Sequence, residues 1–206
     1  MAKSFRKRIF SRTKTIFFLF SLFSCFPALV FSTPQDSVSL ALENARWQST
    51  KTLTYDPGYT RIPYPGGDVP IERGVCSDVI IRAFRGAGVD LQVLVHQDMA
   101  KSFSAYPHIW GLARPDTNID HRRVPNLMKF FQRMGKSLPV TLVASDYLPG
   151  DVVAWRLPGG LLHVGIVMTE LARDNKTPLV AHNIGQGAKI EDVLFRFEIL
   201  GHYRYF

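Results

Sequence analysis

Three side chains in this sequence have the types and the setting for nucleophilic chemistry: Cys76, His163 and His182. Cys76 opens a run to Phe84 in which Val79, Ile80 and Ala83 fall at inward helical spacing, closed by Gly86 and Gly88. The unpaired amides of a helix N-terminus favour a thiolate, the nucleophilic form of cysteine. His163 sits in Leu162 to Met168, a strand-like run otherwise almost wholly apolar, and His182 sits in the next such run, Leu179 to Asn183. A sheet holds its side chains still, so a strand histidine is a better base than a loop histidine, and a second one on the neighbouring strand can orient the first. Two plainer readings stand beside this one: Cys76 as a buried inert thiol, and His163 as a core histidine satisfied by a backbone carbonyl.

The elements that must hold these groups follow from pattern and punctuation. Pro34-Gln35-Asp36-Ser37 leads into a capped helix with Val38, Leu40, Leu42 and Ala45. Tyr55 to Gly74 is rich in Pro and Gly, and a loop of that length in a small domain is usually functional. Short helices are expected near Gln97 to Phe103 and from Val124 to Met134, with Tyr106 to Asp116 irregular between them. Pro149-Gly150 then turns the chain into Asp151 to Trp155, and Pro158-Gly159-Gly160 turns it back into the His163 strand, an antiparallel pair. Gly201 to Phe206 reads as a last strand. Helices first and strands afterwards predict an α+β fold with an antiparallel sheet.

Residues 1–32 carry Lys3, Arg6, Lys7, Arg8, Arg12 and Lys14 with no acid, followed by an apolar run from Ile16 to Phe31, the order of a secretory signal peptide with cleavage near Thr33. An uncleaved membrane anchor, or lipidation at Cys25, are the alternatives for the same segment. Those six positive charges account for most of the formal +8, so residues 33–206 carry only +2 and lose the electrostatic case for nucleic-acid binding. They make one domain with a single cysteine, an exported periplasmic or cell-envelope protein expected to be a monomer, touching membrane only through an uncleaved signal segment. No cofactor or metal is implied: there is no His-Glu-x-x-His, and His96, Asp98, His108 and His121 lie in irregular segments.

Five short motifs occur in one order: Tyr64-Pro65-Gly66-Gly67, Cys76-Ser77, Pro149-Gly150-Asp151, His163-Val164-Gly165-Ile166, and Val180-Ala181-His182. Together they resemble the NlpC-type, papain-like cysteine peptidases. Arg73-Gly74-Val75-Cys76-Ser77-Asp78, Asp120 to Leu127 and His182-Asn183-Ile184-Gly185 are more closely similar to an exported bacterial domain-of-unknown-function family grouped with those enzymes. The resemblance implies Cys76 as nucleophile, His163 as general base and His182 as the orienting residue; Asn183 is a candidate substrate contact and, because successive strand residues face opposite sides, the alternative third member. It also implies that Tyr64 lines the pocket and assists an oxyanion site with the Cys76 amide.

One departure bears on substrate. The acid that NlpC-type enzymes carry immediately before the cysteine, which binds a free amine, is Val75 here. Asp78 is the nearest replacement, with Ser77 beside it, and Arg122 is a candidate for a substrate carboxylate, although the ordinary reading of Asp120-His121-Arg122-Arg123 is an exposed turn. The expected activity is a thiol amidohydrolase acting on peptidoglycan peptides. A catalytically silent binding module of the same fold and a thiol acyltransferase are its rivals.

Overall fold

Helix α1 (Pro34–Gln48) starts where Thr33 Oγ1 accepts the Asp36 amide and Asp36 Oδ2 accepts the Thr33 amide, a reciprocal cap that fixes its first turn. The computed structural model describes Met1 and residues 33–206, so the export segment read from the sequence falls outside the described residues. Ala41, Leu42 and Ala45 bury one face of α1 against α2 (Cys76–Gly86), and Gln48 Nε2 donates to the Val79 carbonyl across that contact. Helix α3 (Leu91–Ser102) begins six residues before the expected position because Asp90 caps it by accepting the Gln92 amide. Helix α4 (Val124–Arg133) turns Leu127, Phe130 and Phe131 inward, as its spacing predicts.

Two short parallel strands, β1 (Thr54–Tyr55) and β2 (Arg73–Gly74), bracket the Pro/Gly loop. Buried Arg82 pins that loop by donating to the carbonyls of Val69, Pro70 and Arg73 and by pairing with Asp68. Gln92 holds its other end, accepting the Gly67 amide and donating to the Pro63 carbonyl.

The main sheet contains β3 (Ser137–Leu138), β4 (Val152–Arg156), β5 (Leu162–Leu171), β6 (Pro178–Asn183), β7 (Ala188–Glu191) and β8 (Glu198–Tyr203). Their spatial order is β3-β8-β4-β5-β6-β7 and every pairing is antiparallel, so the fold is α+β. Both faces are covered, which explains the nearly unbroken apolar runs of β4 and β5. Val152, Ala154, Val164, Ile166 and Met168 join the helices in one core. Val153, Trp155, Val167 and Val180 join Val193 and Leu194 in a second, where Trp155 Nε1 donates to the Leu194 carbonyl. The last strand ends at Tyr203, short of the expected Phe206, because Tyr205 and Phe206 pack at a tilt against Phe84 instead.

Strands β5 and β6 part where the site is built. Pairing between them is registered from Ile166↔Ala181 onward, whereas β4 follows β5 as far as Leu162. Gly165 lies at the parting: a Cβ there would stand 2.5 Å from Val180 Cγ1 and 3.1 Å from the Ala181 carbonyl. Gly165→Ala is therefore expected to push β6 away and to cost about 1–3 kcal/mol of stability. Urea denaturation checks this, and an unchanged midpoint would show that the two strands have room to spare.

Candidate active site

The first turn of α2 is tied down by charge. Asp78 Oδ2 accepts the Val75 amide at 2.7 Å, and its two oxygens take Arg122 Nε at 2.8 Å and Nη2 at 2.9 Å. Both side chains of this pair are 3% exposed. Ser77 Oγ donates to the Arg122 carbonyl at 2.5 Å, and Arg122 Nη1 donates to the Gly58 carbonyl. Asp78, Ser77 and Arg122, expected at the substrate, are thus hydrogen-bonded into the scaffold that holds Cys76, and of the three only Arg122 also lines the cleft beside it. Asp120, His121 and Arg122 are buried, so the charged cluster is an internal tether and not an exposed turn. Asn183 also acts on the scaffold: its Nδ2 donates to the carbonyls of Gly74 and Thr54, joining the end of β6 to the segment that leads into Cys76.

Cys76 lies at the base of a cleft of about 590 Å³ whose walls include Tyr55, Tyr59, Trp110, Arg123 and Leu161. The 103–123 segment supplies Trp110, with Arg123 over its ring at 4.0 Å, so the long section between α3 and α4 forms part of the cleft wall. Tyr64 does not line this cleft; it packs edge-on against His96, and Tyr55 is the tyrosine that lines the cleft beside Cys76, its ionisation opposed chiefly by burial. No sequence motif singled out Tyr55, which reaches the cleft only because β1 runs beside β2.

The thiol is protonated at neutrality. Burial pushes it up to about 11, and hydrogen bonding from the Val164, Ser77 and Cys76 amides only partly offsets that. The helix N-terminus therefore loses to desolvation, against the expectation of a standing thiolate. The Val164 contact follows from the parting of the strands. Val167 N–H donates to the Asp151 carbonyl on the β4 side, so the alternate amides of Val164 and Ile166 point toward β6. At Val164 the registered pairing with β6 has ended, and its amide turns to the sulfur instead.

His163 and His182 meet across the same gap. His163 Nε2 lies 2.9 Å from His182 Nδ1, and His182 Nε2 lies 3.0 Å from Glu191 Oε2 on β7. His182, and not Asn183, thus faces His163, and Glu191, which no sequence motif singles out, stands behind it. The Trp155 ring lies over His163 at 5.8 Å and helps bury it. Burial, with the neighbouring His182, drives His163 down to about 3, and burial lowers His182 against the opposing pull of Glu191. Among the described residues no hydrogen bond joins the Cys76 sulfur to either histidine, and nothing hydrogen-bonds His163 Nδ1, the nitrogen left over once Nε2 is engaged.

These neutral histidines make the fold acid-sensitive. His163 is held near 3 and buried His121 near 4, both below the ordinary 6.5. Below pH 6.5 the unfolded chain binds protons that the folded chain does not, so stability is full above 6.5 and falls as pH drops toward those values. The urea midpoint should be flat from pH 8 to about 6.5 and decline from about 6.5 to 5, above the range where carboxylates titrate. His163→Leu should reduce that slope; a midpoint flat to pH 5 would contradict the buried neutral assignment.

Two solved chains align with this one at low similarity. NlpC1 from Trichomonas vaginalis aligns with a TM-score of 0.40 at 16% identity, covering 80% of this chain and 44% of that one. A Staphylococcus aureus subsp. aureus Mu50 protein, described as similar to lipoprotein, NLP/P60 family, gives 0.41 at 12% identity, covering 87% and 44%. The present chain thus spans less than half the length of each. The Escherichia coli (strain K12) protein named "Uncharacterized protein YijF" is 59% identical over 173 residues, 84% of either chain. Residues 42–205, which include the cysteine, both histidines and Glu191, match the family described as "Domain of unknown function (DUF1287)", and the protein belongs to that family.

Proposed function

We propose that this protein is a thiol amidohydrolase of the cell envelope that cleaves peptide amide bonds of peptidoglycan through an acyl-enzyme. The observation that carries the reading is the His163–His182–Glu191 chain of contacts, built beside the Val164 amide that reaches the Cys76 sulfur. A core histidine needing only a partner would be satisfied by one carbonyl; here a second buried histidine and a carboxylate are stacked behind it. The choice of peptidoglycan rests on the motif order shared with NlpC-type peptidases and on the export-like start of the chain.

With both groups neutral at rest, the proton must move during the attack. Substrate binding brings the sulfur and His163 Nδ1 into hydrogen-bonding reach, as catalytic contacts often tighten only in the complex. The S–H proton passes to Nδ1 as the sulfur bonds to the amide carbon and the carbonyl π pair moves onto oxygen. The Cys76 amide, at the open end of α2, faces the developing oxyanion. Collapse breaks the C–N bond, and the leaving nitrogen takes the proton from Nδ1. Water then gives a proton to Nδ1, attacks the thioester, and releases the carboxylic acid and the free thiol. An amine in place of that water would make the enzyme an acyltransferase.

A silent binding module is favoured by one observation, the thiol held near 11 with no hydrogen bond to a base among the described residues. Incubation with purified muropeptides, read by mass spectrometry, decides between the readings. Hydrolysis is expected to give fragments that have gained one water, and Cys76→Ala should give none. Products carrying an added amine acceptor would establish acyl transfer, and an unchanged digest would leave the binding module.

A further inference from the structure

Glu191 is joined to the histidine pair by geometry and not by motif. His182 is registered against Lys189 on β7, and Glu191, two residues further along, stands on the same face at the diagonal position. From there its Oε2 reaches His182 Nε2 at 3.0 Å. The Glu191 side chain is 43% exposed, whereas that of His182 is 1% exposed, so the carboxylate sits at the rim with the ring wholly inside.

Two proton patterns fit the 2.9 Å contact between His163 Nε2 and His182 Nδ1. In one, His163 carries its proton on Nε2 and donates; in the other, His182 carries its proton on Nδ1 and donates. They have opposite consequences for His163 Nδ1, which is a bare lone pair in the first pattern and an N–H in the second. A neutral imidazole has one N–H, and a carboxylate can only accept. The contact with Glu191 therefore requires the His182 proton on Nε2. His182 Nδ1 must then accept, and the His163 proton must sit on Nε2. Burial, which opposes a charged ring at either position, disfavours the alternative in which His182 carries both protons, and the single proton that remains is the one the Glu191 contact holds on Nε2.

We propose that Glu191 is a positioning residue that sets the protonation pattern of both histidines and so keeps His163 Nδ1 free as the base. The inference rests on the reading of His163 as that base. It makes the effect of Glu191 a choice between two hydrogen-bond patterns, passed through two rings to an atom it never touches. Without the carboxylate, His182 is free to turn its proton toward His163, and His163 must then hold its own proton at Nδ1, where it cannot accept one from sulfur.

Nitrogen-15 spectra of histidine-labelled protein at neutral pH test this without any substrate. The wild type should show His163 and His182 both protonated on Nε2. Glu191→Ala should move His163 toward protonation on Nδ1, and Glu191→Gln, whose carboxamide oxygen can still accept, should keep much of the original pattern. Because Glu191 is at the rim, neither change should disturb folding. On muropeptides, Glu191→Ala should lower kcat by about 10- to 100-fold with KM nearly unchanged, and Glu191→Gln should be less affected. Ring patterns that are the same in the wild type and Glu191→Ala would overturn the proposal, as would full kcat in Glu191→Ala. Ring patterns as expected in a protein that hydrolyses no muropeptide would leave the positioning role standing and remove the hydrolase reading alone.

Discussion

The site depends first on the buried ion pair between Asp78 and Arg122. A charge inside a protein is tolerated only when its partners are in place, and removing one of them strands the other at a cost of several kcal/mol. Here the partners come from three parts of the chain. Asp78 belongs to α2 and also accepts the Val75 amide, Arg122 comes from the long middle section, and Gly58 of the Pro/Gly loop supplies a carbonyl. One electrostatic knot thus fixes the helix start, the loop and the cleft wall together. It also accounts for Val75: with the carboxylate three residues later and turned inward, α2 has an internal cap instead of an exposed acid in front of the cysteine.

The second constraint is the parting of β5 and β6. A continuous ladder would use the Val164 amide for pairing and would leave no gap for a sulfur or for two imidazoles to face each other. By ending the registered pairing at Ile166, the fold frees one amide for the thiol and places His163 opposite His182. The same burial that orders these groups keeps them uncharged, since desolvation opposes both the thiolate and the imidazolium. On the proposed reading, substrate binding completes the site by bringing the thiol to His163. The same burial shields the Cys76 thiol from solvent.

Much of this was legible in the sequence, and the limits have physical causes. The α+β order, the Cys76 helix and the His163 hairpin follow from periodicity and from turns at Pro149-Gly150 and Pro158-Gly159-Gly160, all local signals. His182 as the partner of His163 follows from alternation on neighbouring strands. Strand β7, and with it Glu191, was not legible, because Ala188 to Glu191 is four residues long with only a weak alternating pattern. Asp78 and Arg122 read from the sequence as substrate contacts, because their pairing spans 44 residues and no local rule tells an internal tether from a substrate contact. Tyr64 was chosen through a motif, whereas Tyr55 reaches the cleft through the parallel β1–β2 contact, a tertiary event.

On the proposed reading a neutral Cys76 thiol gives its proton to His163 as it attacks. That transfer is tested most directly with an activated acyl ester, such as a p-nitrophenyl ester, which needs no knowledge of the natural substrate. Release of p-nitrophenolate in the first turnover reports acylation of the sulfur. The wild type should acylate at pH 7, and His163→Ala should be about 10²- to 10⁴-fold slower there, the usual contribution of a positioned base. The two should converge as pH approaches the value of about 11 at which the thiol ionises unaided. Equal rates with the same pH dependence in both proteins would contradict the account and leave Cys76 a buried thiol without a base.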